Sequence, residues 1–294
     1  YYSYTGNAWK LAGFLKELNL DAAILCGPHG LVLAAMLVAG IPLVSVPVII
    51  GGDSPYETRI YKLLRHFGLN KPHNMLKYAP REYLRLLEPF GIHTEDTRKE
   101  LAYSFEVWQK VKSKAIEAGI NLGTDVCIGI TPTAGNKIKE WPAQRFGKLA
   151  SMIAKNYRVK IVVLGSPNDQ KQVKDMLAAV DSNVQIWNTC GEMNLDELKA
   201  LIAHLDCVIA VDTGPIYIAE AFEVPTIDIV GPVDENVQPP RGKKHIIVKV
   251  EVPGYPFLRI MNARIYDPIG ARQAVEAITP EMVLEKSREL LSNL

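Results

Sequence analysis

Five consecutive residues, Val211-Asp212-Thr213-Gly214-Pro215, place an acid, a hydroxyl and a tight turn after an apolar run. The run at 207–211 predicts a buried strand, and Pro215 is typical of the first turn of a helix. A helix start in this position offers free backbone N–H donors and the positive end of a helix dipole, which together bind anions. The same residues would equally form a well-capped strand-to-helix turn without a ligand, and the local sequence favours neither reading.

A second candidate is the loop at 131–142, which follows one predicted strand and precedes a helix. Its small polar residues, Thr131 and Thr133 among them, would let a ligand approach the backbone. Lys137 or Lys139 could neutralise a phosphate there by charge. Taken alone, however, the loop is more typical of a solvated basic segment.

A third candidate is Gly165-Ser166-Pro167-Asn168-Asp169, again at the end of a predicted strand. Asp169 could accept hydrogen bonds from ribose hydroxyls, as carboxylates do in doubly wound folds. Locally, an acid that complements the dipole of the following helix is the more typical role. His29, in Gly27-Pro28-His29-Gly30 after another predicted strand, could face a cleft. No G-x-G-x-x-G or P-loop motif is present, so the sequence lacks the fingerprints of a bound dinucleotide and of P-loop enzymes.

The elements that would position these residues alternate along most of the chain. Strands are predicted over 21–25, 43–48, 126–130, 159–164, 184–187, 207–211 and 226–230. Helices are predicted over 9–18, 31–38, 142–155, 168–179, 195–203, 215–222 and 279–290. Such alternation indicates α/β domains with parallel sheets covered by helices on both faces. Ligands bind at the carboxyl ends of the strands in these sheets, where all the candidate residues fall.

The intervening tract at 56–118 is predicted to be mainly helical, with interruptions at Pro72, Pro80 and Pro89. At about 150 residues per domain, a chain of 294 residues holds two domains. Their boundary is expected near 118–124, where two glycines flank a polar stretch. The expected organisation is an N-terminal domain at 1–120, a C-terminal domain at 121–277 and a final helix at 278–294.

Residues 22–52 carry no Asp, Glu, Lys or Arg and include a nearly continuous apolar run. The run is long enough to span a bilayer, but Gly40, Pro42 and Pro47 interrupt it and no basic flank marks one end. A short buried helix at 31–38, a turn and a hydrophobic strand at 43–48 are therefore predicted instead of a membrane span.

Composition excludes several classes of protein. With 33 Lys and Arg against 32 Asp and Glu, the net charge is +1, so no broad surface for nucleic acid is expected. The four cysteines lie far apart, without a CxxC pair or a histidine at ligand spacing. They predict buried, reduced thiols of a cytosolic protein and no metal site.

The order of the motifs is more specific than any one of them. Along the chain come Pro132 with Lys139-Glu140-Trp141-Pro142, Val162 to Asp169, Gly191 to Leu198, Val211 to Pro215, Val230-Gly231-Pro232-Val233-Asp234, and Ala277 to Glu281. This ordered set resembles the heptosyltransferase family, glycosyltransferase family 9, of lipopolysaccharide core assembly. The resemblance is close over 125–291 and looser over 9–69.

The resemblance implies a GT-B fold, in which two Rossmann-like, doubly wound domains face a cleft and the final helix returns to the first domain. The first domain would lie on the acceptor side, and the second would bind the nucleotide-sugar donor. The implied reaction is a metal-independent, inverting transfer of heptose from ADP-heptose to the lipid-A/Kdo core, with no cofactor. The implied location is cytoplasmic, and the lipid-A acceptor implies peripheral contact with the inner face of the inner membrane.

The resemblance also assigns roles by position. Lys139 matches a phosphate-contacting lysine, Asp169 an acid on the nucleotide side, and Met193 a residue of the nucleoside pocket. The strand-end motif would hold the sugar and diphosphate of the donor. The expected substrate-binding set is Thr131, Thr133, Lys139, Asp169, Met193, Asp212, Thr213, Gly214, Pro215, Tyr217 and His29, and Lys139 and Asp212 are also expected to act in catalysis.

The sequence departs from the family pattern at several points. Tyr217 stands where the family commonly has histidine, and it cannot become cationic near neutral pH. The cysteines usual in the late loop are absent from 255–272. The family's first strand and Gly-Asp loop have no counterpart, so the general base is expected upstream of Tyr1 and the N-terminal domain is expected to lack its first βα units. Two alternatives stay open: a GT-B transferase that uses another nucleotide sugar, and a catalytically incomplete nucleotide-sugar-binding module.

Overall fold

The computed structural model describes residues 7–238, 240–262 and 267–294. The chain divides into two compact units, each built on a parallel sheet. The first unit consists of Tyr1–Thr97, Asn236–Gln238 and Leu258–Tyr266. The second consists of Arg98–Glu235, Pro239–Phe257 and Asp267–Leu294.

The first unit contains a three-stranded parallel sheet in the order β1-β2-β3, with helices between the strands. Its strands are β1 (Ala22–Ile24), β2 (Leu43–Ile50) and β3 (Leu69–Asn74). Its helices are α1 (Ala8–Glu17), α2 (Gly30–Val38), α3 (Arg59–Leu64) and α4 (Ala79–Leu84), and short 3-10 helices follow α3 at Arg65–Phe67 and α4 at Arg85–Phe90. The uncharged stretch forms α2, a turn and β2, as predicted. Within the described ranges, no helix is long and apolar enough to cross a membrane.

Strand β3 corrects the prediction of a mainly helical tract at 56–118. It pairs in parallel with β2 from Ser45↔Leu69 to Ile50↔Asn74. The segment Leu-Asn-Lys-Pro-His-Asn has neither the apolar run nor the alternation that indicates a strand. It is an edge strand of the described sheet. An edge strand tolerates Pro72, because a residue there can lack a backbone N–H without losing a hydrogen bond between strands.

The second unit contains a six-stranded, wholly parallel sheet in the order β6-β5-β4-β7-β8-β9. Its strands are β4 (Cys127–Thr131), β5 (Lys160–Val163), β6 (Ile186–Asn188), β7 (Cys207–Val211), β8 (Thr226–Ile229) and β9 (His245–Val248). Its helices are α5 (Phe105–Glu117), α6 (Ala143–Asn156), α7 (Gln170–Leu177), α8 (Leu195–Ile202), α9 (Gly214–Ala221), α10 (Pro268–Glu276) and α11 (Pro280–Ser292). Separate apolar clusters cover the two faces of the sheet, as its doubly apolar strands require.

Two helices lie in the second unit in contrast to expectation. The expected organisation put 105–117 in the N-terminal domain, and the family resemblance implied that the final helix returns to that domain. Val111 and Ala115 of α5 are fully buried in the same apolar cluster as residues of α8. Val283 and Leu291 of α11 are buried in the main core of the second unit, and α11 packs against α6. The division near Thr97 therefore differs from the expected boundary near 118–124, because the apolar face of α5 belongs to the second core.

Candidate functional site

The candidate site begins at the carboxyl ends of β4 and β7, which are neighbours in the middle of the six-stranded sheet. Thr131, the last residue of β4, pairs with Ala210 of β7. The strand order changes direction between these strands, because β5 and β6 follow on one side and β7 to β9 on the other. In open α/β sheets, ligands bind at this switch point. The loops after the two strands are therefore brought together as the sequence indicated.

Lys139 and Asp212 form the central contact between these loops. The Lys139 ammonium donates hydrogen bonds to Oδ2 of Asp212 at 2.9 Å and to its main-chain oxygen at 2.5 Å. Asp212 is only 1% exposed, and the side chain of Lys139 is 16% exposed. A charge pair so removed from water is strongly coupled, because each partner would be costly to bury alone. An ammonium carries a third N–H donor, which makes no hydrogen bond within the described residues.

The loop that carries Lys139 is attached firmly to the end of α10. Trp141 is fully buried, and its indole N–H donates to the main-chain oxygen of Ile278 at 2.9 Å. Arg272 of α10 donates to the main-chain oxygen of Glu140 at 2.8 Å. Since these anchors lie within three residues of Lys139, its position is fixed by the core and not by a free loop.

Tyr217, one turn into α9, contacts the same carboxylate as Lys139. Its hydroxyl donates a hydrogen bond to Oδ1 of Asp212, so the two carboxylate oxygens accept from two different side chains. The Lys99 ammonium lies 5.8 Å from the centre of the Tyr217 ring and 2.5 Å from Oε2 of Glu220. Tyr217 is thus held between a buried acid and a cation, where it serves as a hydrogen-bond donor.

Asp228 is a buried acid of the site that sequence reasoning missed. It lies on β8 opposite Ala210, is 1% exposed, and neither carboxyl oxygen has a hydrogen-bond partner among the described residues. Burial, and then the negative charge of Asp212, raise the pKa of Asp228 well above its usual range, although Lys139 opposes this shift. Both causes favour the protonated form of Asp228. Its only sequence signal is a single acid inside the apolar strand Thr226–Ile229.

The start of α9 is open to a ligand. Thr213 is the residue preceding the helix, yet its side chain makes no capping hydrogen bond, and the first turn contains no acid. Gly214 is exposed, and a methyl group added there would meet no atom within 4 Å. Pro215 occupies the first turn, as predicted. Pro215 has no N–H, and the N–H of Ile216 donates to the main-chain oxygen of Thr213 at 3.1 Å. The N–H of Gly214 and the positive dipole end of α9 are therefore what this helix start can offer an anion.

Thr131 ends β4 and Thr133 lies on the loop after it, at the same edge of the sheet as the end of β7. Both are buried, at 3% exposure. The Thr131 hydroxyl has no partner within the described part of the chain. A buried hydroxyl without a partner costs free energy, so it is a candidate contact for a bound ligand.

Asp169 and Met193 follow β5 and β6 at the same edge of the sheet. Oδ2 of Asp169 accepts from the main-chain N–H and the hydroxyl of Ser166, both at 2.7 Å. This capping box is the dipole-related role that the local sequence favoured, and a nucleotide contact by Asp169 stays a prediction. Met193 is half-buried, and its sulfur lies 3.9 Å from the ammonium of Lys114.

His29 belongs to the first unit. It is exposed and immediately precedes α2. Its Nδ1 accepts a hydrogen bond from the main-chain N–H of Val32 at 3.4 Å, which caps the helix. Its predicted contact with substrate remains a prediction.

The cysteines are free, as predicted, but they are not all buried. Cys127, Cys190 and Cys207 are buried, whereas Cys26 is exposed just after β1. Burial raises the pKa of the Cys127 thiol to about 12, so that thiol is inert near neutral pH. The part of the chain that the structure describes contains no group of three or more residues arranged to bind a metal.

Comparison with known proteins places this arrangement among sugar transferases. Residues 9–263 match the model of glycosyltransferase family 9 (heptosyltransferase). Lipopolysaccharide heptosyltransferase 2 of Salmonella typhimurium is 30% identical over 168 residues, which cover 56% of this chain and 47% of that protein. The chain spans about half the length of the curated relatives it matches.

Solved structures confirm the predicted fold class. The structure of the Escherichia coli ADP-heptose LPS heptosyltransferase II has a TM-score of 0.71 at 20% identity, and the match covers 98% of this chain and 81% of that one. A family 9 glycosyltransferase from Veillonella parvula has a TM-score of 0.75 at 19% identity, with coverages of 98% and 79%. The chain therefore has the α/β fold of the GT-B class, built from Rossmann-like units.

Proposed function

Because the chain belongs to glycosyltransferase family 9, we propose that it acts in lipopolysaccharide assembly by transferring heptose from ADP-heptose to an inner-core hydroxyl. The observation that carries the proposal is the Lys139–Asp212 pair beside the open start of α9. This arrangement suits a diphosphate, since it combines a fixed ammonium with the N–H of Gly214 and the positive end of the α9 dipole. The names of the matched relatives, which include an ADP-heptose enzyme, support the choice of donor.

Lys139 and the start of α9 would accelerate the reaction by stabilising the leaving group. In the transfer, the acceptor oxygen forms a bond to the anomeric carbon while the bond from that carbon to the diphosphate breaks. Negative charge then grows on the departing ADP. The third N–H of Lys139, the N–H of Gly214 and the positive dipole end of α9 stabilise this charge more strongly than they stabilise the ground state. No metal ion is required for this step.

Asp212 has a positioning role in this scheme. Its carboxylate oxygens accept from Lys139 and Tyr217, so it holds the lysine toward the helix start instead of receiving a proton from the acceptor. Inversion at the anomeric carbon requires a separate base that takes the proton of the attacking hydroxyl.

The proposal is tested by a transfer assay that contains ADP-heptose and lipopolysaccharide lacking heptose, with ADP and product quantified. The wild-type chain, linked to any preceding segment of its natural protein, should release ADP and form product in equal amounts. Lys139→Ala should lower the rate at least about a hundredfold, because it removes an interaction made chiefly in the transition state. The matched control is Lys137→Ala, since Lys137 lies in the same loop but is exposed and pairs with Glu140. Equal rates for both variants would overturn the proposal.

A second candidate is a transferase of the same fold that uses another nucleotide sugar. Tyr217 favours it, because a neutral hydroxyl that donates to Asp212 replaces the histidine that the family commonly has. Thermal shifts with ADP-, UDP- and GDP-sugars separate the two candidates. Stabilisation by ADP-heptose alone supports the first, and stabilisation by a UDP- or GDP-sugar alone supports the second.

A further inference from the structure

The outer face of α3 and of the turn that follows it is apolar. Ile60, Leu63 and Phe67 are 59%, 66% and 72% exposed. Their spacing of three and four residues places them on one side of the helical segment, and we call these three residues the α3 stripe. A helix on a protein surface normally turns polar residues to water, so three large apolar side chains on its outer face indicate a contact surface.

The inner face of α3 is already packed, so the α3 stripe is not a displaced core face. Tyr61 is fully buried, and its hydroxyl donates to the main-chain oxygen of Pro47 at 2.6 Å. Leu64 packs into the same apolar cluster as Tyr61. Thr58 caps the helix by accepting from the N–H of Tyr61. These contacts fix which side of α3 faces outward.

The α3 stripe lies in a strongly basic part of a chain whose total charge is nearly balanced. Residues 58–81 contain six Lys and Arg and no Asp or Glu. Arg59, Lys62 and His66 are exposed and alternate with the α3 stripe along the sequence. Of the other bases, Arg65 pairs with Glu57 and Lys71 pairs with Glu88. The outward charge on α3 is therefore positive, which fits an anionic partner.

We propose that the α3 stripe and its neighbouring bases dock the first unit on an anionic phospholipid surface. The three apolar side chains would enter the boundary of the acyl chains, and Arg59 and Lys62 would lie against the lipid phosphates. A second copy of the chain is a poorer occupant, because a symmetric contact through this face would bring the same bases toward each other. The proposal goes beyond the transfer reaction, since it invokes no residue of the nucleotide site.

The test is cosedimentation of the purified chain with vesicles of phosphatidylcholine alone or mixed with phosphatidylglycerol. The wild-type chain should bind the mixed vesicles, and salt should weaken this binding. The variant Ile60→Ser/Leu63→Ser/Phe67→Ser should lose at least about tenfold in affinity, because it removes the buried apolar area. Arg59→Gln/Lys62→Gln should lose about fivefold per base removed.

The matched control is Leu195→Ser/Ile269→Ser, because these two apolar residues are 66% and 70% exposed in the second unit. It should bind the mixed vesicles as the wild-type chain does. All substituted side chains are exposed, and a melting curve for each variant shows that it is folded.

Three results would each overturn the proposal: no binding of the wild-type chain to mixed vesicles, equal binding to both kinds of vesicle, or full binding by the triple-serine variant. The proposal would also be overturned if the wild-type chain formed a dimer that did not bind vesicles, while the triple-serine variant was monomeric. The assay contains no nucleotide sugar, so its failure is distinguishable from failure of the proposed transfer reaction.

Discussion

The ammonium of Lys139 lies 2.9 Å from Oδ2 of Asp212, although the two residues are 73 positions apart in the chain. The contact exists because β4 and β7 are adjacent and end at the same edge of the sheet. It joins a cation to Asp212, which stands two residues before the first residue of α9. The parallel sheet thus positions Lys139 where the diphosphate of the donor is proposed to bind.

The Lys139–Asp212 pair should show strong coupling in stability. Lys139→Met leaves a buried carboxylate without its cation and should cost about 3 kcal/mol of unfolding free energy. Asp212→Asn should cost less, because the partly exposed lysine can turn toward water. The double variant should be less destabilised than the sum of the two single variants, by about 1 to 3 kcal/mol. Urea unfolding measures all three, and additive effects would contradict a direct pair.

Removing the Tyr217 hydroxyl should impair transfer without disrupting the fold. Tyr217→Phe deletes a hydrogen bond to the Asp212 carboxylate, and bonds to charged groups contribute about 1.5 to 3 kcal/mol. We expect kcat for transfer to fall by about tenfold. Tyr157→Phe is the control, since Tyr157 precedes β5 at the opposite end of the strands. An unchanged kcat in Tyr217→Phe would show that the hydroxyl does not position Asp212.

Asp228 should make stability depend on pH with a defined sign. Its pKa is raised in the folded protein, so the folded state keeps a proton that the unfolded chain releases near about pH 4. Its contribution is therefore complete below that pH and is lost as pH rises. Asp228→Asn replaces the carboxyl by an amide that does not titrate, so this fall in unfolding free energy with rising pH should disappear.

Thermal unfolding between about pH 5 and pH 8 measures the effect of Asp228→Asn. Its melting temperature should rise relative to wild type as pH increases. Asp181→Asn, at an exposed acid, should follow the wild-type profile. A constant difference between Asp228→Asn and wild type across this range would contradict a raised pKa.

Alanine substitutions at two glycines should have different effects, one on ligand binding and the other on stability. Gly214→Ala adds a methyl group where no atom lies within 4 Å, so the melting temperature should not fall. The methyl group stands at the start of α9 and should weaken binding of ADP. Gly231→Ala instead brings its methyl group to 2.2 Å from Cγ2 of Val275 and should cost about 1 to 3 kcal/mol. Equal ADP affinity in Gly214→Ala and wild type would show that the ligand does not approach this helix start.

The sequence predicts the local units of the site because their signals are local. The run at 207–211 and the helix start at Gly214-Pro215 appear where expected, since an apolar run followed by glycine and proline determines both boundaries. The neighbouring positions of the loops at 131–142 and 212–215 follow from the parallel sheet. The position of Lys139 near the strand end of β7 is therefore predictable from the sequence.

The remaining features depend on contacts that leave no local pattern. The polar strand β3 forms because β2 offers it an edge, and α5 joins the second unit because its apolar side meets α8. Asp228 becomes part of the site only through its register with Ala210. Asp169 accepts from Ser166 at one carboxylate oxygen, and its expected contact with the nucleotide stays a prediction.

The central claim is that Lys139 and the start of α9 bind the diphosphate of ADP-heptose. Calorimetric titration of ADP-heptose into the wild-type chain, Lys139→Ala and Lys137→Ala tests it most directly. We predict saturable binding to the wild-type chain and Lys137→Ala, and affinity weakened at least about tenfold in Lys139→Ala, since a charge-assisted bond to phosphate is lost. Equal affinity in all three proteins, or no binding of ADP-heptose to the folded wild-type chain, would contradict the account.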